Sequence, residues 1–472
     1  MGVYVLYLHR SYSYLRLLQI CSLMSVLFLL KDAEARFVSQ FSLAVGEEYN
    51  DNIFFEENKD HDFVTYMIPT FTFIYQPSSQ NAPTFIADLS PAAEIYARHS
   101  ELNNFGKDLG LNVAYFYQYS PRMTFSLRDR LQRRGEGRTG FGGFGTGGGF
   151  GGGSGGFGGF GGAGGTGGLG GLGGGGGLNG SSLNEEDLLS RGETIDNEAE
   201  ARGSFQYTPT VAVDGGYRFR YIAFLDEGGK EVEHSVEVGG AYRKWQQHNL
   251  RARYRIGLIQ SRDGKNDIIH DFDLGDDYLS SREIRLTPTL TVRGATGIAL
   301  STGDDGFRIN HKLDLSVIKI WQTASFTIGV NRNFTGSGGV SGPSFTTSFF
   351  GTFAIQLTRR LSVFAGSDFS LFDTDDADFK TFQTVVGMQY ALTRWLAANI
   401  GYAYRWLDPE GGAENTNFLR QGKTDSNSVF VSLSAYFDMW PNPGLGRVPS
   451  FLASSTAVPR GTYPRRSPST TP

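Results

Sequence analysis

The sequence predicts an all-β fold: a transmembrane, antiparallel, up-and-down β-barrel of about 18 strands (16–18). Three observations support this prediction. Apolar and polar residues alternate with a period of two along many segments, long connections alternate with short ones, and an apolar N-terminal segment precedes the alternating region. A chain of 472 residues is long enough for one barrel of this size.

The alternation is clearest over residues 108–119, DLGLNVAYFYQY. Leu109, Leu111, Val113 and Tyr115 fall on one face of a strand, and polar or small residues fall on the other. Residues 307–317, 321–330 and 394–406 repeat the pattern. One apolar face and one polar face on every strand is typical of a barrel wall between lipid and water.

The N-terminus predicts export. Residues 17–30 form an apolar run of 14 residues, which is shorter than the ~20 residues that a spanning helix needs. Arg10 and Arg16 precede the run, and Ala33-Glu34-Ala35 follows it as a small-x-small cleavage site. Residues 1–35 are therefore predicted to be a signal peptide. It contains the single cysteine, Cys21, so the mature chain has no disulfide and no thiolate.

The connections predict which end of the barrel faces outward. Acidic, glycine-rich connections fall on one side and shorter turns fall on the other, which is the asymmetry of an outer-membrane barrel. The third long connection contains residues 140–180, of which 28 of 41 are glycine. We expect residues 134–202 to be an extracellular insertion in a barrel of residues 36–437. Residues 438–472, with seven prolines, are expected to be a disordered tail.

Tryptophans and the last strand agree with this orientation. Trp245, Trp321 and Trp395 fall at predicted periplasmic turns, where an indole ring is stable at the membrane interface. Residues 426–437 alternate and end on Phe437, which resembles the C-terminal signal that the outer-membrane assembly machinery recognises. The chain departs from that signal because 35 residues follow Phe437.

Residues 45–55 read VGEEYNDNIFF, and a strand containing Pro69 follows. Tyr49, Asp51, Asn52 and the two residues after them resemble the Y-x-D-N-[IV]-F segment of the outer-membrane barrel-porin family often linked with exopolysaccharide systems. This resemblance implies a barrel and places the segment in the first loop. It implies no catalytic residues.

Charged residues on the predicted inward faces are the candidate functional positions, because inward residues decide what passes through a wide barrel. Hairpin registers are expected to place Glu237 and Asp273 on either side of Arg255. These charged residues either bias the passage of ions and sugars or form salt bridges that stabilise the barrel wall. The candidate pore-lining residues are Arg128, Arg218, Arg220, Glu231, Glu233, Glu237, Arg251, Arg253, Arg255, Asp271, Asp273 and Asp277.

The acidic segment after the glycines suggests a constriction. Glu185, Glu186 and Asp187 would face Arg218, Arg220 or Arg128 if the third loop folded into the pore, as it does in general porins. The alternative is a solvated loop at the cell surface, which is the usual state of polar low-complexity segments.

Other function classes find little support. Net charge is −5 with no basic cluster, so we expect no nucleic-acid partner. The histidines are scattered without paired spacing, so no metal, cofactor or catalytic site is predicted. His234 and His311 fall on predicted lipid faces, where a phospholipase-type Ser-His pair would need a serine on a neighbouring strand.

The sequence therefore predicts a non-enzymatic barrel in the outer membrane of a Gram-negative-type bacterium. It is expected to be a porin-like passive channel for small polar or saccharide solutes. The alternative is a non-conducting barrel that serves exopolysaccharide export or assembly. Expected partners are outer-membrane lipid, the barrel assembly machinery, and solutes or polysaccharide. No oligomeric state is predicted.

Overall fold

The computed structural model describes residues 36–54, 57–76, 83–134, 193–225, 229–242, 250–260, 266–276, 290–303, 306–321, 323–335, 344–373, 378–393, 395–410 and 423–438. Among these residues the one helix is a 3-10 turn at Ser100–Leu102. None of their helices is long and apolar enough to cross a bilayer.

The described residues form one closed sheet of 18 antiparallel strands, each paired with its neighbours in the chain. The first strand pairs with both the second and the last, which closes the sheet into a barrel. The strands are β1 Arg36–Asn50, β2 Asp62–Gln76, β3 Thr84–Tyr96, β4 Asn104–Ser120, β5 Met123–Arg134, β6 Thr194–Thr208, β7 Val211–Phe224, β8 Lys230–Tyr242, β9 Leu250–Gln260, β10 Asn266–Asp276, β11 Leu290–Gly303, β12 Gly306–Ile320, β13 Ala324–Thr335, β14 Ser344–Gln356, β15 Leu361–Asp373, β16 Asp378–Ala391, β17 Leu396–Glu410 and β18 Thr424–Asp438.

The fold class and the strand count are confirmed. The predicted third long connection is shorter than expected, because β6 begins at Thr194 rather than near Gly203. The last residues of the predicted insertion 134–202 therefore belong to the wall. Their acidic side chains, which suggested a loop, alternate with Ile195, Asn197 and Ala199. Glu198 and Glu200 are each opposite an arginine on both neighbouring strands. Residues 1–35, 135–192 and 439–472 lie outside the described residues.

The outward face of the barrel is apolar. Many large hydrophobic side chains on it are about half exposed, including Leu127, Val238, Leu315 and Val431. A soluble protein would bury such a surface, because contiguous exposed apolar area on this scale is unfavourable in water. The outer wall therefore fits a lipid environment.

Aromatic residues mark the end of the barrel where the short turns lie. Trp321 and Trp395 are about half exposed there, as predicted from the sequence. The ring of Phe437, at the end of β18, stacks on Trp395 with centroids 5.9 Å apart and on Phe41 at 6.1 Å. These rings form part of a girdle at one membrane interface. Trp245 and Trp440 lie outside the described residues.

Four inward glycines lie beneath aromatic rings from neighbouring strands. Each glycine is directly opposite its aromatic partner in the sheet register, and a Cβ atom on it would overlap the ring. The pairs are Gly46 with Tyr66, Gly329 with Phe350, Gly387 with Phe364, and Gly401 with Phe430. The missing side chain lets the ring lie against the wall, which fixes its position and covers the exposed backbone.

Candidate functional site

The inward faces of β5–β12 form a wall of alternating charges. In one row of the sheet, Arg130, Glu198, Arg220 and Glu233 are directly opposite one another on β5, β6, β7 and β8. In the next row, Arg128 is opposite Glu200 on β6, and Glu200 is opposite Arg218 on β7. Opposite charges at such cross-strand positions attract each other and contribute roughly 0.2–1 kcal/mol per pair.

Ion pairs connect β6 and β7 within this wall. The Nε atom of Arg218 lies 3.0 Å from Oε1 of Glu198, and the Nε atom of Arg220 lies 3.6 Å from Oδ1 of Asp196. On β6 itself, Arg202 pairs with Glu200. The acids that neutralise Arg218 and Arg220 thus come from the adjacent strand. Glu185, Glu186 and Asp187, predicted for that role from the third loop, lie outside the described residues.

A second group of ion pairs crosses β8–β12. Arg253 Nε lies 3.0 Å from Glu237 Oε1. Asp271 accepts hydrogen bonds from Arg255 at 3.0 Å and from Lys312 at 2.8 Å. Asp271 is 3% exposed, so both of its cationic partners are held close to the wall.

The expected position of Asp273 beside Arg255 is wrong by two residues, which is one repeat of the inward-outward alternation. Glu237 is opposite Arg255, as predicted, but the residue on the other side of Arg255 is Asp271. Asp273 is opposite Arg253 and Arg251 is opposite Gly275. A shift of two residues in the pairing keeps the same face inward, so the alternation alone could not distinguish the two registers. Asp277 lies outside the described residues.

Sequence reasoning missed several inward charges. Glu198 and Glu200 were assigned to the loop, although their alternation with alanines was the available signal. Lys312 lies on a strand face that the sequence identified as polar, but only the structure brings it to Asp271. Glu231 and Glu233, which were predicted, are 4% and 8% exposed on the inward face of β8.

The inward face of β13–β18 is chemically different. It carries mostly hydroxyl, amide and aromatic side chains, with Ser348 and Ser370 hydrogen-bonded at 2.6 Å and Asn399 donating to Ser432 and Ser434 at 3.2 Å. In a closed ring of 18 strands, β8 and β9 lie across the lumen from β17 and β18. The β8–β9 part of the charged wall therefore faces a largely uncharged one.

The motif at residues 49–54 closes the ring at its outer end. Asp51 accepts hydrogen bonds from the backbone and side-chain nitrogens of Asn427 at 2.6 and 2.9 Å. Asn52 donates to the Asp425 carbonyl at 2.9 Å, and Lys59 lies 2.7 Å from the Asp425 carboxylate. These contacts, together with those of Asn50, join the start of the first long connection to β18. We call this set, Asn50–Asn52 and residues 425–427, the seam contacts.

The first two long connections are joined by His99. Its Nδ1 and Nε2 atoms lie 2.9 Å from Asp62 and 3.1 Å from Asp60, respectively. Asp62 has no exposed surface and also accepts the backbone N–H groups of Phe63, Arg98 and His99. The hydrogen bond to Asp62 raises the pKa of His99 above its ordinary value.

No group of three potential metal-ligating side chains occurs in the described ranges. The two histidines considered for a Ser-His pair do lie on the outward face. In the described part of the chain their hydroxyl partners are Tyr217 for His234, at 2.8 Å, and Thr296 for His311, at 2.7 Å, rather than serines. Neither histidine has a serine partner among the described residues, which the considered Ser-His pair would need.

A closed cylinder of 18 strands with an apolar outer wall and a charged, hydroxyl-rich inner wall is a transmembrane β-barrel of the size that general porins have. The polar lumenal wall is its candidate functional site.

No family model matches the chain, and no curated protein matches it. Solved structures that are similar to the chain include three proteins of Pseudomonas aeruginosa. The outer membrane protein OpdK is 10% identical with a TM-score of 0.42, covering 84% of this chain and 99% of that chain. OccK2 (OpdF) in complex with glucuronate is 8% identical with a TM-score of 0.42, covering 86% and 98%. OprD is 11% identical with a TM-score of 0.40, covering 87% and 98%. None of them assigns a role to a residue of this chain, and the exopolysaccharide-associated type stays a prediction.

Proposed function

We propose that the barrel is a porin-like passive channel for small polar or saccharide solutes in the outer membrane of a Gram-negative-type bacterium. The observation that carries this proposal is the contrast between its two surfaces. The outer wall is apolar, while the inner wall carries ion pairs and hydroxyl groups from nearly every strand. Charged side chains are unfavourable against lipid but favourable against water and hydrophilic solutes.

The two lumenal walls support the solute class. Hydroxyl, amide and guanidinium groups can exchange hydrogen bonds with the hydroxyl groups of a sugar, so a polar solute can enter without losing all its hydration partners. The acids and bases of β5–β12 are largely paired with each other. Such a wall presents dipoles rather than one dominant charge, which favours small neutral or weakly charged solutes over strong selection for ions of one sign.

A cysteine pair on one strand tests this proposal. Ser348 and Thr347 are neighbours on β14 with inward and outward side chains, respectively, and the only natural cysteine is Cys21. In a Cys21→Ser background, we expect planar bilayers with Ser348→Cys to show open channels whose conductance falls when a charged, water-soluble thiol reagent is added. Thr347→Cys is the control, and its conductance should not change.

A folded barrel that never conducts would contradict the channel. Equal inhibition of both cysteine variants would contradict the assignment of the side chain of residue 348 to the lumen. Folding is checked independently by the change in gel migration on heating. A folded but sealed barrel would favour the second role suggested by the motif at residues 49–54, a non-conducting barrel that serves exopolysaccharide export or assembly. Uptake of small sugars by liposomes containing the wild-type protein would distinguish saccharide passage from ion conductance alone.

We also propose the route by which the barrel reaches its membrane. The segment 1–35 would act as a signal peptide cleaved after Ala35. The barrel assembly machinery would recognise β18, whose outward residues alternate down to Phe437. The N-terminal sequence of the purified protein tests the cleavage, since a mature chain beginning at Arg36 is expected.

A further inference from the structure

Three histidines interrupt the apolar outer wall. His234, His270 and His311 lie on the outward faces of β8, β10 and β12, among residues such as Val236, Ile256 and Leu313 that contact lipid in this orientation. His234 and His311 are exposed and His270 is half-buried. Imidazole rings on a lipid-facing surface need a polar partner, because an unsatisfied polar group in hydrocarbon costs free energy.

Each imidazole ring is held by a hydroxyl group on the preceding strand. The Tyr217 hydroxyl lies 2.8 Å from Nδ1 of His234, and the Tyr254 hydroxyl lies 2.7 Å from Nδ1 of His270. The Thr296 hydroxyl lies 2.7 Å from Nε2 of His311 and 3.2 Å from the Lys312 carbonyl oxygen. The three contacts orient the rings and use one nitrogen of each. Within the part of the chain that the structure describes, the second nitrogen of each ring makes no hydrogen bond and is available to a partner outside the barrel.

The three rings lie at one depth in the membrane. His234 on β8 is directly opposite Leu258 on β9, and Leu258 is opposite Ile268 on β10. His270 lies two residues after Ile268, toward the periplasmic end of β10. His270 is in line with Leu300 and Ile309, and His311 is again two residues further. Because barrel strands tilt by 35–45°, a line of constant depth shifts by about one residue per strand. The offsets match that shift.

This depth is near the outer edge of the apolar band. His234 is eight residues from Tyr242, at the periplasmic end of β8. A tilted strand advances about 2.5 Å along the membrane normal per residue, so eight residues span about 20 Å of an apolar band that is ~25 Å tall. The rings therefore lie about 5 Å below the outer edge of this band, nearer to the headgroups of the outer leaflet than to the middle of the bilayer.

The charge around the three rings fits an anion. Arg332 on β13 is opposite Leu313, two residues from the register line of His311, and so lies at nearly the same depth. Among the described side chains of β8–β13, the outward face carries no carboxylate. The outer ends of β15–β18 carry outward acids instead, namely Asp373, Asp378, Asp408 and Asp425. We define the histidine arc as His234, His270, His311 and Arg332.

We propose that the histidine arc is a binding site for the phosphorylated headgroup of an outer-leaflet lipid. Imidazole N–H and guanidinium groups donate to phosphate oxygens, and such hydrogen bonds are strong where the ligand or the donor is charged. The arc extends over six strands, which makes it wide enough to contact more than one phosphate group. This site lies on the outside of the barrel and is separate from the lumenal wall.

Native mass spectrometry of the folded, full-length barrel tests the proposal. The protein is mixed in micelles with equal amounts of diphosphoryl lipid A and phosphatidylcholine, and the retained lipids are counted. We expect wild-type barrel to prefer lipid A, and the triple variant His234→Leu, His270→Leu and His311→Leu to lose this preference by about tenfold or more. Dephosphorylated lipid A should be retained no better than phosphatidylcholine.

Tyr402→Phe is the matched control. It removes an outward hydroxyl, which donates to Asn427 at 2.6 Å, from the opposite part of the wall without removing a histidine. Its lipid A preference should equal that of wild type.

If the triple variant does not fold, the single variant His270→Leu is used and should lose part of the preference. Unchanged lipid A retention in a folded variant would overturn the proposal. So would wild-type self-association that the histidine substitutions abolish, since the arc would then contact a second copy.

Discussion

Gly401 shows how one residue can set the shape of the lumenal wall. The ring of Phe430 occupies the space that a Cβ atom on Gly401 would need, and the Val386 carbonyl oxygen would lie 2.9 Å from that atom. A ring can rotate away, but a carbonyl in the sheet cannot do so without distorting the ladder. The position therefore requires glycine for reasons of space rather than of backbone angle.

We expect Gly401→Ala to destabilise the barrel by about 1–3 kcal/mol, as overpacking of a tight site does. Gly110→Ala is the control, because its added Cβ would meet its nearest atom, the Ser90 carbonyl oxygen, at an ordinary 3.7 Å. Urea midpoints of the folded barrel in micelles measure the difference. Equal midpoints for the two variants would show that the wall adapts at Gly401.

His99 gives the first two long connections a dependence on pH. Its pKa is raised by the hydrogen bond to Asp62, with Asp60 on the other side of the ring and Arg98 and His61 nearby. The charged contact is complete below the unfolded pKa of about 6.5 and is lost as pH rises through the higher folded value. Protection of residues 97–103 from hydrogen exchange should therefore decrease between pH 6 and pH 8, after correction for intrinsic rates.

His99→Gln should remove this pH dependence, whereas His61→Gln should retain it, because His61 contacts Arg98 rather than an acid. A wild-type protein with the same corrected protection at both pH values would disprove the role of His99.

At the scale of the strand, the seam contacts decide whether β1 and β18 stay paired at their outer ends. The ladder joins Gln40–Asn50 to Ser428–Asp438, and the contacts of Asp51 continue it into the connection. We expect Asp51→Ala to speed hydrogen exchange in the first residues of β18 by roughly thirtyfold, since it removes two hydrogen bonds of ~1 kcal/mol each. Exchange in the periplasmic half of β18 should be unchanged.

Glu57→Ala is the control for the seam. Glu57 lies in the same connection and is exposed, so its loss should not change exchange in β18. If Asp51→Ala and Glu57→Ala give the same exchange rates, the side-chain contacts do not hold the seam and the backbone ladder alone is sufficient.

The strands also show what sequence patterns can predict. Alternation identified both faces of β4 and β12 correctly, because one face must meet lipid and the other must not. It did not identify the upper part of β6, where Asp196, Glu198 and Glu200 suggested a solvated loop. Inward charged residues alternate with a period of two, as other polar residues do. In a segment rich in acidic residues this alternation is easily mistaken for a solvated loop, because the basic partners lie on other strands.

At the scale of the whole molecule, the closed ring could be predicted but its internal pairing could not. Eighteen strands follow from counting alternating segments, and the paired charges follow only when the register is known. Asp273 illustrates the limit: its face was predictable, and its partner, Arg253, was not. The division of the lumen into a charged wall and a hydroxyl-rich wall likewise appears only when strands distant in sequence are placed across from each other.

The pairing of β1 with β18 also constrains how the protein is made. Ser426 bonds to Asn50 across 376 positions of sequence, so this bond can form only after nearly the whole chain has been synthesised. Until then the first strand has an unpaired edge, which in other proteins invites aggregation or exchange with another chain. A truncated chain without β18 would keep that edge of β1 unpaired permanently. In the full-length chain, the pairing of β1 with β18 must be faster than the pairing of β1 with a strand of another molecule.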